Sequence, residues 1–155
     1  MATLLTQIEA CLNSRPLTML INDPEEASPL TPGHFLIDEP IVTVPEVSYE
    51  TCKMSSLKRW QLTQAMLQHF WRRWSNEYLT HLMHRYKWAY KVPEAKVGDI
   101  VLVKEDDLPP TKWLFGKVVK KHSGFDGLTR VVSLKVKNSI IKRPTCKLVI
   151  LPVCD

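Results

Sequence analysis

At 155 residues, the chain has room for one domain of ordinary size or for a small domain with a substantial appendage. A hydrophobic fraction of 45% permits a core, but no stretch approaches the roughly 20 apolar residues of a membrane span, and the first residues lack the basic start and apolar centre of a secretory signal. Cys11, Cys52, Cys146 and Cys154 show no C-x-x-C spacing, which favours reduced thiols in a soluble intracellular protein over a disulfide framework or a zinc knuckle.

The net charge of +5 conceals a division along the chain. Residues 1–56 balance at −6, residues 57–91 at +6 and residues 92–155 at +5. A basic balance confined to the last two thirds is the electrostatic footprint of a polyanion partner, with DNA or RNA the first candidates, although a solvated basic surface has the same composition.

Residues 1–16 read as an amphipathic helix. Leu4, Leu5, Ile8, Cys11 and Leu12 recur at three- and four-residue spacing, and Pro16 ends the run by pushing the residue before it out of helical geometry. Residues 17–55 form a proline-rich connector in which no regular element is expected. Leu30, Phe35, Leu36, Ile37, Ile41 and Val42 are nevertheless too apolar for a free linker, so the segment reads as a strap laid over another surface. The acidic run Asp23, Glu25 and Glu26 reads as a solvated loop, because no histidine is spaced to complete a metal shell.

Residues 56–91 contain neither Gly nor Pro and read as one long helix. Leu57, Trp60, Leu67, Phe70 or Trp71, Trp74, Tyr78, Leu82 and Tyr86 mark an aromatic seam, with Lys58, Arg59, Arg72, Arg73, Arg85 and Lys87 mainly off it. Such a seam must pack, on the strap, on a second copy or on another partner, and core packing of its rings is favoured over base stacking. His69, His81 and His84 read as structural, without a cysteine or carboxylate to complete a zinc site.

Residues 92–155 change period. GDIVLVKE, FGKVVKKH, LTRVVSLKVK and SIIKRPT are β-branched runs separated by turn signals, which predicts three or four strands in a small, curved antiparallel barrel. In the third run Val132, Leu134 and Val136 fall on one face and Ser133, Lys135 and Lys137 on the other. Lys117, Lys120, Lys121, Lys142, Arg143 and Lys147 belong to neighbouring runs and are expected to share the lysine face. So small a barrel has no interior room for a ligand, which puts any function on its surface. The fold class expected is therefore α+β.

Five phrases, in order, carry a resemblance: LLTQIEACLNSRPLT, SPLTPGHFLIDEP, RWQLTQAMLQHFWRRWSNEYL, VGDIVLVKEDDLPPTKWLFGKV, and GLTRVVSLK followed by KRPTCKLVILP. Together they resemble the carboxyl-terminal part of the integrase of Pao/BEL-type long-terminal-repeat retrotransposons. The resemblance implies that residues 1–16 are the last helix of an RNase H-like catalytic core, that residues 92–155 form an SH3-like barrel, and that the nucleus is the site of action. It also implies that the three metal-binding acidic residues of the core, and a zinc-binding amino-terminal module, lie before Met1. The sequence departs from the pattern where Asp38 and Glu39 replace a glycine and a basic residue.

Two-metal phosphoryl transfer needs several carboxylates converging on the ions, and Glu9 stands alone on its helix. No Ser/His/Asp, Cys/His or phosphate-loop arrangement replaces it, so no catalytic residue, metal site or cofactor is expected. The function expected is non-catalytic binding of nucleic acid, chiefly double-stranded DNA with weak sequence preference. Its contacts are assigned to Lys117, Lys120, Lys121, Arg130, Lys135, Lys137, Lys142 and Arg143, with Arg72 and Arg73 auxiliary. Homo-oligomerisation or integrase assembly through the aromatic helix is the alternative. A methyl-lysine reader is disfavoured because the barrel supplies only Trp113, Phe115 and Phe125 for a cage.

Overall fold

The computed structural model describes residues 2–19, 29–44, 46–49, 52–83, 95–106, 108–125, 128–137 and 139–151. The acidic run at 23–26, the expected continuation of the long helix from His84 to Lys91, and Cys154 lie outside these residues. In chain order the elements are helix α1 (Ala2–Asn13), strands β1 (Thr18–Met19) and β2 (Pro29–Leu30), helix α2 (Pro32–Ile37), a 3-10 turn (Met54–Ser56) and helix α3 (Arg59–Leu82). Strands β3 (Ile100–Val103), β4 (Leu114–Ser123), β5 (Thr129–Val136) and β6 (Ser139–Pro144) come next, then a 3-10 turn (Thr145–Lys147) and β7 (Leu148–Ile150). The fold is α+β, and the chain divides into two compact units.

The first unit comprises Met1–Leu17, Leu30–Glu77 and Asp106–Lys112. In α1 the stripe is realised only in part: Cys11 is fully buried whereas Leu5 is exposed. Burial drives the Cys11 thiol up to about 12, so it is a neutral packing group. Regular structure does survive in the proline-rich segment. α2 forms because Pro32 occupies the first helical position, where its missing N–H costs nothing, and because the Thr31 N–H donates to His34 Nδ1 at 3.1 Å. The helix ends on Asp38 at φ 58°, a left-handed conformation that favours glycine, which is the residue the resemblance expects there.

The connector then runs along α3, held by side chains. Gln68 uses both ends of its amide: Nε2 donates to the Val47 carbonyl at 2.8 Å, and Oε1 accepts from the Tyr49 N–H at 2.9 Å. Thr43 is tied likewise, its N–H donating to Thr111 Oγ1 at 3.1 Å and its hydroxyl to the Pro110 carbonyl at 3.0 Å. Such bonds replace the ladder an extended backbone would otherwise need. α3 starts at Arg59 rather than at residue 56, because the Gln61 side chain reaches back to cap the Lys58 N–H at 2.9 Å. Of the expected seam, Leu67 and Trp71 are buried, but Trp60 is half exposed and Gln64 and Gln68 take buried positions instead.

The second unit comprises Thr18–Pro29, Tyr78–Glu105 and Trp113–Asp155. Its sheet has five antiparallel strands in the order β6-β5-β4-β3-β7, so the chain meanders through four and the last strand returns to pair with the first. This is an open barrel-like sheet, with one strand more than expected because Leu148–Ile150 is too short to stand out in the sequence. All four residues of β3 are buried, as a strand covered on both faces requires. On the inner face Val101, Val103, Val118, Val132, Leu134 and Leu148 make one cluster. On the other, Ile100, Leu102, Val149 and Leu151 meet Met19 and Leu79, with Tyr78, Leu82, Trp113 and Phe115 packed around them. The Tyr78 and Trp113 rings meet edge to face at 5.8 Å. On the inner face Gly116 permits close packing of β4 against β5, since a Cβ there would lie 3.1 Å from Val136 Cγ2 and 3.2 Å from Leu134 Cβ.

Candidate nucleic-acid interface

Strands β4, β5 and β6 carry seven basic residues and no carboxylate. Registration decides which of them share a face. Lys117 pairs with Lys135, and Lys135 with Ile140; Lys120 pairs with Ser133, and Ser133 with Lys142. Directly paired residues project to the same side, and residues two apart on a strand do so again. Lys117, Lys120, Lys135 and Lys142 therefore form one patch on the outer face, in two rows along β5. Across β4, β5 and β6, Lys120 and Lys142 flank Ser133 with about 10 Å between their backbones, twice the strand spacing. Ser133 itself is buried, and its hydroxyl is 2.8 Å from His122 Nε2.

The register places Lys117 directly opposite Lys135 on the neighbouring strand. Like charges directly opposite on a sheet are destabilising, and β4, β5 and β6 themselves carry no acid.

The other expected contacts are placed differently. Val119 is an extra residue at a bulge between Val118 and Lys120, and it shifts the parity of the rest of β4. Lys121 consequently pairs with Val132, as does Arg143, so both project to the side of the inner cluster rather than to the lysine face. Arg143 further makes an ion pair with Glu105 at 2.9 Å, both side chains about one third exposed. Arg130 is exposed at the second irregularity, between the His122–Val131 and Ser123–Thr129 pairs. Lys137 leaves the strand altogether, at φ 47° in the two-residue link closed by the Val136–Ser139 pair. Lys147 is exposed in the 3-10 turn.

Arg72 and Arg73 belong to the first unit, on α3. Both are exposed, and Arg73 is paired with Glu77 at 3.0 Å. Arg72 lines a cleft of about 420 Å³ with Glu46, Gln68, Trp71, Asp106 and Pro110. The two carboxylates of the cleft oppose a phosphate, and Trp71 offers no ring face because it is only 3% exposed and its indole N–H is committed to the Leu108 carbonyl at 3.0 Å. Trp113 and Phe115 are held in the outer apolar cluster while Phe125 stands in solvent, so the three do not make a cation cage.

Among the described residues no group of three or more His, Cys, Asp or Glu could hold a metal ion, and no helix is long and apolar enough to cross a membrane. The clamping role of Gln68 is not legible from helical periodicity, since its partners lie 19 and 21 residues away.

Fold and patch together define a small barrel-like sheet whose strands β4, β5 and β6 carry basic residues and no acid, preceded by a long helix. Residues 58–151, which include both, match the family of unknown function DUF5641, and the chain belongs to that family. That is not a catalytic family assignment. No curated protein and no solved structure matches the chain.

Proposed function

We propose that this chain is a non-catalytic nucleic-acid-binding module, related to the carboxyl-terminal part of a retrotransposon integrase, that holds double-stranded DNA in the nucleus through phosphate contacts. The observation that carries the reading is the Lys117–Lys135 pair within three strands lacking any acid. A surface that needs only solubility mixes its signs, whereas a surface kept cationic at a cost to its own stability matches a polyanion. Lys117, Lys120, Lys135 and Lys142 are the central contacts, with Arg130 at the margin. Such contacts position the protein without reading bases, so sequence preference is weak. The integrase relationship rests on the ordered phrases of the sequence, five of them along the chain.

Fluorescence anisotropy with a duplex oligonucleotide tests the reading. Four neutralised phosphates give an expected loss of affinity of about 150-fold between 50 and 200 mM salt. Affinity that is flat across that range refutes the phosphate clamp.

A further inference from the structure

The turn of the β4–β5 hairpin carries two apolar side chains, Phe125 and Leu128, that the core does not use. The Gly124 N–H donates to the Leu128 carbonyl at 3.0 Å, closing the turn beyond the Ser123–Thr129 pair. Phe125 at the tip is 116% exposed, the most exposed large apolar side chain of the described residues, and Leu128 beside it is 55% exposed. Val119 and Val131, lower on the same two strands, are 45% and 37% exposed. Neither Phe125 nor Leu128 belongs to either core cluster. The strands that carry this turn hold Lys117, Lys120, Lys121, Arg130 and Lys135 and no carboxylate, while the turn contributes one acid, Asp126, next to Phe125 in the sequence.

We infer that the hairpin is a wedge, with Phe125 stacking on an unpaired or unstacked base of the DNA whose phosphates the lysine face holds. An aromatic ring stacks on any base because every base has a π-face, and apolar side chains that enter DNA do so where neighbouring basic groups anchor the backbone. The net charge of the hairpin selects the occupant: with five bases on its strands against Asp126 in its turn, the ring is delivered to a polyanion rather than to a neutral apolar partner. The module therefore favours frayed or single-stranded ends over continuous duplex. This rests on the DNA-binding reading above and assigns it a class of substrate.

The test uses the full chain and two labelled probes, a blunt duplex and the same duplex with a short unpaired 3′ tail containing 2-aminopurine. The wild type is expected to bind the tailed probe more tightly and to change the 2-aminopurine emission. Phe125→Ala is expected to weaken binding to the tailed probe by about 5- to 150-fold, with the salt dependence unchanged because no charge is lost. Phe125→Trp should retain the preference and Phe125→Leu should lose it, which separates stacking from mere apolarity. Equal binding of tailed probe by the wild type and Phe125→Ala overturns the wedge while leaving the phosphate clamp standing. Failure of the wild type to bind either probe overturns both. Retention on phosphatidylserine vesicles that exceeds retention on DNA and depends on Phe125 also overturns the wedge, by assigning the tip to a membrane surface.

Discussion

Phe115 and Lys117 stand two residues apart on β4 and project from the same face, yet they meet opposite surroundings. Phe115 packs into the cluster that Tyr78, Leu79 and Leu82 at the end of α3 close over β3 and β7. Lys117 begins the part of the face, over β4, β5 and β6, that is lysine-rich. One face of one sheet is thus split into a covered half and a charged half. In the covered half the residue types result from burial alone. In the charged half burial sets no such demand, and a solvated surface would have served with mixed charge; the absence of acid on β4, β5 and β6 is what the proposed binding role would require.

The sharpest way to break this comparison is to damage the covered half. Leu102 is fully buried among Ile100, Val149 and Leu79. Leu102→Ala is expected to cost about 2–5 kcal/mol of stability by urea unfolding, through lost transfer energy and the cavity left behind. Affinity for DNA per folded molecule should stay unchanged, because the lysine rows are untouched. Equal losses in stability and in affinity per folded molecule would show that the two halves do not act separately.

The inner face of β5 is legible in the sequence, whereas the covered half, to which the short strand β7 contributes Val149, and the charged half are legible only in part. The alternation Val132, Leu134, Val136 against Ser133, Lys135 survives folding because period-2 patterning is local and β5 is regular over those residues. Lys121 and Arg143 are expected on the lysine face and lie on the other. For Lys121 the reason is one bulge residue, Val119, which inverts the parity of the second half of β4. Nothing in FGKVVKKH marks which residue will be extra. The helix displays its apolar seam in the sequence but not Gln68, whose burial is explained only by a strap that approaches from far along the chain. The proline-rich segment misleads in the opposite direction: proline density argues against any helix, while Thr31-Pro32 and the side chain of His34 start one.

A milder change tests the charged half directly. Lys120 and Lys142 flank Ser133 on adjacent strands and are both exposed. Replacing both with Gln removes two of four phosphate contacts, so the loss of affinity between 50 and 200 mM salt should shrink from about 150-fold to about 12-fold. Stability should hardly move, since substitutions at exposed positions without a packing role stay within about 0.5 kcal/mol. An unchanged salt dependence in this double variant would place the contacts elsewhere on the chain, with Arg130 the next to examine.

The smallest effect is the most discriminating, because its two readouts have opposite signs. Lys117 lies opposite Lys135, and converting it to Gln removes a like-charge pair. Lys117→Gln is expected to raise stability by about 0.2–1 kcal/mol in urea unfolding at low salt. The same substitution should reduce the slope of log affinity against log salt by about 1, the signature of a single lost phosphate contact. A merely solvated face predicts the first result without the second, since relieving repulsion there carries no functional penalty. A lysine retained for packing predicts the reverse of the first, because the aliphatic stem of Lys117 next to Ile100 would lose contact on truncation. Only a surface held cationic for a polyanion yields a more stable protein that binds less well, and at high salt, where repulsion and attraction are screened together, both differences should fade in parallel.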